Sequence, residues 1–136
     1  MMKHLDIWDR RGPNVFLSLS DIVPLLNARS RASIWEVDDF IEPDGERYFE
    51  TVADGHDLVR EAAATHARFT FTDLEQMGRC IRQIIWGRFK AFNDGSDQPW
   101  LILSAVDSTF WRVETADLPT RQLMLKHFKD VRMGGA

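Results

Sequence analysis

The feature that most restricts the fold is a series of three strand-like runs joined by short turns in the carboxyl-terminal half of the sequence. The runs cover about 86–92, 100–106 and 109–115, and each is rich in aromatic or branched apolar residues. A polar loop separates the first two runs, and only Asp107-Ser108 separates the last two. Strands joined this closely are typical of antiparallel hairpins, so this part of the chain predicts an antiparallel sheet.

A second strand pattern lies on both sides of a turn at 42–45. Before the turn, Trp35 and Val37 alternate with acidic residues, and after it the chain returns as another strand. Pro43 has no N–H to donate in a two-residue loop, so we expect a three-residue loop closed by a left-handed Gly45. The sequence therefore predicts a hairpin in which alternate residues face the same side.

Helical signals occur between and after these strands. The predicted extents are about 21–29, 54–67 and 72–85, with a last helix that begins near Asp117. Thr72 and Glu75 have the spacing of a capping box at the start of the third helix. Together these elements predict an α+β fold, with a mostly antiparallel sheet of about five strands and about four helices packed largely on one face. A chain of 136 residues fits a single domain, 1–136.

Composition restricts the compartment and the chemistry. Cys80 is the only cysteine, which excludes an internal disulfide and disfavours a thiolate metal site. No apolar run approaches the ~18 residues of a membrane span, and acids interrupt the amino end where a signal peptide needs apolar residues. We therefore expect a cytoplasmic protein with no membrane segment, metal or cofactor. The histidines share no ligand spacing and no catalytic motif is present, so an enzyme is only the third alternative for function.

Negative charge is concentrated in one segment of the chain. Between Glu36 and Asp57 there are nine acids and one cation, Arg47, so this segment carries −8 and the rest of the chain carries +4. In the predicted hairpin, acids and two aromatic rings share the solvent-facing side, namely Asp38, Phe40, Glu42, Glu46, Tyr48 and Glu50.

This arrangement of like charges predicts a partner. Like charges directly opposite each other on paired strands destabilise a sheet, by up to ~1 kcal/mol per pair. The predicted register opposes Glu42 with Glu46 and Asp38 with Glu50, which fold stability does not explain. We therefore predict a non-catalytic binding or regulatory module that presents this face to a basic protein partner. Two alternatives stay open, namely an edge hairpin that uses charge only for solubility and a homodimer.

In size and in segregated charge the chain is similar to the small acidic α+β immunity proteins, which neutralise basic nuclease toxins. This similarity implies an inhibitor of a basic protein. It rests on no motif, so no residue of this sequence takes a role from it.

The run at 86–92 supports a different class of function. Its even positions place Trp86, Arg88, Lys90 and Phe92 on one face. Aromatic rings between cations are typical of proteins that bind single-stranded nucleic acid, because bases stack on the rings and phosphates pair with the cations. An acidic chain disfavours this alternative, and long cationic stems that cover apolar surface explain the same pattern without a ligand.

Overall fold

The structure is a computed structural model that describes residues 3–13, 15–38, 49–51, 61–84, 86–107 and 109–133. The strands are β1 (His4–Ile7), β2 (Arg10–Gly12), β3 (Val15–Phe16), β4 (Ile34–Asp38), β5 (Phe49–Thr51), β6 (Ile81–Ile84), β7 (Trp86–Phe92), β8 (Pro99–Val106), β9 (Phe110–Thr115) and β10 (Val131–Met133). The helices are α1 (Leu19–Ile22), α2 (Ala28–Arg31), α3 (described over 61–65), α4 (Phe71–Cys80) and α5 (Leu118–His127). A 3₁₀ turn, Val23–Leu25, follows α1.

Six strands form one antiparallel sheet in the order β10-β1-β9-β8-β7-β4. The pairs β2–β3 and β5–β6 form two further antiparallel ribbons. The predicted α+β class and the antiparallel sheet are therefore confirmed, with six strands in the main sheet. The three carboxyl-terminal strands that the sequence predicts are β7, β8 and β9, and they lie side by side as hairpins.

The outer strands on one side of this sheet were not predicted. β1 lies between β9 and β10, and its register pairs Asp6 with Arg112 on one side and with Arg132 on the other. β1 has four residues and β10 has three, so neither gives enough alternation for a strand prediction.

The helices pack on one face of the sheet, where the hydrophobic core lies. From this face, Phe89, Leu103 and Val113 point into the core and have no exposed surface. Leu74 and Met77 of α4 meet them in the same cluster of buried side chains. The alternation of buried and half-buried residues along β7, β8 and β9 shows that the other face is the more exposed one. We call this second face the outer face.

The starts of two helices differ from the predictions by two residues each. α1 is capped by Ser18, whose N–H donates to the Asp21 carboxylate at 2.7 Å, and Ser20 lies inside the helix. α4 is capped by Thr70, so the predicted cap at Thr72 is wrong. In both cases the earlier start buries an additional apolar residue at the first helical position. The predicted cap of α5 is confirmed, since Asp117 accepts from the Thr120 N–H.

Candidate functional site

The most organised set of polar side chains lies in one row across the outer face. Five neighbouring strands contribute one residue each, and we call these five the charged row: Asp6, Arg112, Ser104, Arg88 and Asp38. The row has the same sequence of charges from either end, with a carboxylate outside, a guanidinium next to it and a serine on β8 in the centre. Side chains directly opposite each other on antiparallel strands share a face, which brings the five together.

Each arginine of the charged row is held by the carboxylate outside it. Arg112 donates from Nε and Nη2 to the two oxygens of Asp6 at 2.8 and 3.0 Å. Arg88 donates from the same two atoms to Asp38, also at 2.8 and 3.0 Å. Two parallel bonds fix the plane of a guanidinium, so both arginines have a defined orientation on either side of Ser104.

Asp38 takes part in a second ion pair. Lys90, which lies two residues further along β7, places Nζ 2.7 Å from Oδ2 of Asp38. Burial raises the pKa of Asp38, but the hydrogen bonds and charges of Arg88 and Lys90 outweigh this effect and hold the pKa below its ordinary value. Asp38 is therefore a carboxylate at neutral pH.

A row of apolar side chains lies beside the charged row, nearer to one end of the strands. We call it the apolar row, and it consists of Trp8, Phe110, Val106 and Trp86. Trp8 and Phe110 are stacked with ring centroids 4.5 Å apart, and the Arg132 guanidinium lies over the Trp8 ring at 4.2 Å. Trp86 is 40% exposed, which is unusual for a tryptophan that lies on a strand interior to the sheet.

The positive and negative charges of the outer face balance. Its described cations are Arg88, Lys90, Arg112 and Arg132, and its described anions are Asp6, Glu36, Asp38 and Glu114. Glu36 is also paired with Arg68, at 3.3 Å. Within the part of the chain that the structure describes, this face therefore offers fixed charges of both signs in equal number.

The four residues of the predicted nucleic-acid face follow one alternation along β7, and three of them are accessible on the outer face. Trp86, Arg88 and Lys90 are half-buried or exposed there. Phe92 is in register with Ile34 just as Lys90 is with Glu36, so it keeps its place in the alternation, but it is only 3% exposed and the expectation of an accessible ring is wrong. The register shifts between Ala91 and Phe92, and Arg68 covers the Phe92 ring at 4.3 Å. The extra residue of this irregularity is Trp100 on β8, so the cover by Arg68, and not a change of face, makes the Phe92 ring inaccessible.

The structure describes only two residues of the predicted acidic face, Asp38 and Glu50. Asp38 was expected to face solvent, but it is 8% exposed and paired with two cations, so this expectation is wrong. Its cross-strand neighbour is Arg88 on β7, whereas Glu50 on β5 is in register with Gln83 on β6. Four further residues of the predicted face lie outside the described residues, namely Phe40, Glu42, Glu46 and Tyr48. A partner at that face stays a prediction.

The sequence did not reveal two parts of the outer face, namely the residues on β9 and those on β1. Phe110 and Arg112 were missed because three residues, 107–109, separate the paired ends Val106 and Phe110, and this register also places Ser104 opposite Arg112. The two-residue turn at Asp107-Ser108 that the sequence predicts would have placed Val106 opposite Thr109 instead. The contributions of β1 were not detectable, because that strand was not recognised.

A concave feature of about 330 Å³ lies between the start of β8 and the start of α5. The Arg29 guanidinium stacks on Trp100 at 4.0 Å and donates to Asp117 at 2.9 Å. Burial raises the pKa of Asp117, but hydrogen bonds from Thr120 and Arg29 outweigh it and lower the pKa. These groups satisfy one another, so they serve to join α5 to the sheet.

Within the described ranges, no three His, Cys, Asp or Glu side chains are arranged to hold a metal ion. The helices of the same ranges include none that is long and apolar enough to cross a membrane. Comparisons with protein-family models, curated proteins and solved structures find no match for this chain. The geometry of the outer face is therefore the basis for a functional proposal.

Proposed function

We propose that this protein is a non-catalytic binding module that docks a protein partner on the outer face of its sheet. The observation that carries the proposal is the apolar row, with an exposed Trp86, directly beside two arginines of fixed orientation. Tryptophan, phenylalanine and arginine are the side chains enriched at the centres of protein interfaces. The partner therefore presents apolar side chains to Trp86 and Phe110 and polar acceptors to the charged row.

The ion pairs of the charged row favour tight docking. An arginine side chain loses up to about 2 kcal/mol of rotamer entropy when an interface immobilises it. Asp6 and Asp38 have already fixed Arg112 and Arg88 through two hydrogen bonds each. Part of the entropy cost of binding is thus met when the chain folds, which is the general advantage of a preorganised surface.

The balance of charge favours a protein over a nucleic acid. Binding to single strands depends on cations that neutralise phosphates and release counterions. Among the described residues of the outer face four cations are matched by four anions, and Arg88 and Lys90 share one carboxylate. Single-stranded nucleic acid is still the second candidate, because Trp86, Arg88 and Lys90 do share this face.

The acidic segment would bind a different kind of partner protein, on a different surface of the molecule. Two of its nine acids, Glu36 and Asp38, are ion-paired within the fold. The remaining seven acids and Arg47 give 39–57 a net charge of −6. The alternative is a basic protein that binds this segment, as a basic toxin binds its acidic inhibitor. An experiment must separate this alternative from docking on the outer face.

Site-specific photo-crosslinking tests which surface docks the partner. A benzophenone amino acid replaces Val106, in the centre of the apolar row, and the chain is expressed in cells of its native host. The matched control carries the same group at Leu125, an exposed apolar residue of α5. We expect a discrete adduct from position 106 and none from position 125. The identified partner, once purified, should bind Trp86→Ala at least about 30-fold more weakly than the wild type, because a hot-spot tryptophan contributes about 2 kcal/mol or more.

Three results contradict docking of a protein on the outer face. One is the absence of a discrete adduct at position 106. Another is a partner whose affinity Trp86→Ala leaves unchanged while removal of the acids in 39–57 abolishes it. The third is saturable quenching of tryptophan fluorescence by the single-stranded oligonucleotide d(T)12 at low salt, which would favour the nucleic-acid candidate.

A further inference from the structure

We propose that Arg112 and Ser104 form a subsite for the carboxylate of an aspartate or glutamate side chain on the partner protein. This inference rests on the proposed function, since it assigns the chemistry of one contact on the same face. The subsite lies at the centre of the charged row, on β8 and β9.

The residues around Ser104 offer hydrogen-bond donors, and among the described residues none accepts from its hydroxyl. Its neighbours across the strands are Arg112 and Arg88, whose guanidinium groups only donate hydrogen bonds. Within the described part of the chain, no side chain or carbonyl accepts from the Ser104 hydroxyl. A half-buried hydroxyl beside positive charge is suited to donate to an anionic oxygen from outside the chain.

The geometry of Arg112 supports the same ligand. Asp6 binds Nε and Nη2, which leaves Nη1 with no acceptor among the described residues. The Arg112 side chain is 36% exposed, so a partner can reach it from solvent. One oxygen of a carboxylate over β8 can accept from Nη1 while the other accepts from Ser104. Asp6 then acts as a positioning residue, because it fixes the plane of the guanidinium and touches no ligand.

Charge selects a carboxylate over a phosphate. Asp6 and Asp38 lie within the charged row, and each already neutralises an arginine. A phosphate carries up to two charges near these carboxylates, whereas a carboxylate carries one and spreads it over two oxygens in a plane. The apolar row lies two residues along each strand, about 7 Å away, which suits an apolar side chain next to the acid in the partner.

Short peptides test the subsite without the partner. The probes are acetyl-Leu-Glu-Leu-amide and its neutral counterpart acetyl-Leu-Gln-Leu-amide, titrated to about 10 mM because a single contact of this kind gives millimolar affinity. The readouts are the NMR shifts of the Ser104 and Arg112 amides and the Trp86 indole N–H. We expect the glutamate peptide to shift all three signals and the glutamine peptide to bind about tenfold more weakly, since a hydrogen bond to a charged group is the stronger one.

Variants test whether Ser104 and Arg112 bind the glutamate peptide. Ser104→Ala keeps both ion pairs of the charged row and should weaken binding of the glutamate peptide several-fold. Arg112→Lys keeps the charge and loses the planar fork, with a similar result expected. The matched control is Arg11→Lys, an exposed and ion-paired arginine of β2 that lies outside the six-stranded sheet and should have no effect.

The subsite is rejected if the two peptides bind equally, if neither shifts the signals, or if Ser104→Ala binds like the wild type. It is also rejected if acetyl-Leu-phosphoserine-Leu-amide binds more tightly than the glutamate peptide, because the site would then select phosphate. These failures are distinct from a failure of the proposed function. A crosslinked partner at position 106 without peptide discrimination removes the subsite alone, and peptide discrimination without a crosslinked partner removes the docking proposal alone.

Discussion

Asp38 shows how one buried carboxylate organises the edge of the sheet. It ends β4 and accepts from Arg88 and Lys90, both on the neighbouring strand. A carboxylate that is 8% exposed needs such partners, since an unpaired buried charge strongly destabilises a fold. The same two ion pairs place a guanidinium and an ammonium on the outer face.

Asp38→Asn should therefore destabilise the protein. We expect the free energy of unfolding at neutral pH to fall by about 1.5 to 3 kcal/mol, the range for a hydrogen bond to a charged group. The control is Asp130→Asn, which breaks an exposed pair with Arg132 and should change stability by less than about 0.5 kcal/mol. Urea denaturation of the three proteins measures both changes.

The effect of Asp38→Asn should depend on pH in a definite direction. The folded-state pKa of Asp38 is lower than its ordinary value of 3.8, so folding releases a proton in acid. The stabilisation is complete above the ordinary pKa and is lost as the pH falls through the folded-state pKa. The difference between wild type and variant should thus be constant from about pH 5 to 7 and shrink below about pH 4. A difference that is unchanged in acid contradicts this assignment.

Arginine–aromatic stacks are numerous among the described residues. Six such contacts lie among the described residues, pairing arginines with Phe16, Trp100, Phe71, Phe92, Phe110 and Trp8. Proteins have about one per 70 to 80 residues, so about two would be ordinary for this length. Three of these rings, Phe71, Phe92 and Trp100, are buried, and in each case a guanidinium lies over the ring.

At the scale of elements, α4 is defined by a capping box at its start. The Thr70 hydroxyl accepts from the Asp73 N–H at 3.3 Å, and the Asp73 carboxylate accepts from the Thr70 N–H at 3.2 Å. Phe71 is thereby the first helical residue, and its side chain is buried against the core. The start at Thr70 is decided by this burial, because Thr72 has a suitable acid three residues later as well.

Substitutions at the two threonines distinguish these starts. Thr70→Ala should lower the free energy of unfolding by about 1 kcal/mol through loss of the cap. Thr72→Ala, at an exposed position inside the helix, should change it by less than about 0.5 kcal/mol. Thermal unfolding monitored by circular dichroism measures the two effects. Equal losses, or a larger loss at Thr72, would place the start of α4 where the sequence alone predicts it.

Elements of different length differed in how well the sequence predicted them. β7, β8 and β9 have at least six residues each, with clear alternation and short turns, and their predicted and observed extents agree within one or two residues. β1 and β10 are too short to show a period, and they become strands because each pairs with a neighbour already in the sheet. α1 and α2 were expected as one helix, but Pro24 and the 3₁₀ turn divide them.

At the scale of the whole molecule, the sheet joins the two ends of the chain. β1 is paired with β10, and the Asp9 carboxylate accepts from the N–H groups of Lys129 and Asp130. Residues more than 100 positions apart in sequence therefore meet. We expect these contacts to form late in folding, because contacts between residues far apart in sequence close long loops.

The exchange rates of backbone amides should differ between the central strand β8 and the edge strand β10. β8 has a hydrogen-bonded strand on both sides and contains the fully buried Leu101 and Leu103. We expect its amides to exchange only through global unfolding, whereas those of the edge strand β10 should exchange at least tenfold faster (a difference of about 1.4 kcal/mol or more in opening free energy). NMR-detected exchange in D₂O measures both sets. Equal protection of β8 and β10 would contradict the central position of β8.

The sequence by itself determined the fold class, the central hairpins and the placement of Trp86, Arg88 and Lys90 on one face, because alternation with a period of two is a local property of each strand. It could not determine that Asp38 is buried between two cations, or that Arg68 covers the Phe92 ring. Only the tertiary structure decided how the strands are ordered, and thereby which charges are neighbours. The charged row exists because β1, β9, β8, β7 and β4 lie side by side, and strand order depends on packing between distant segments that no local pattern records.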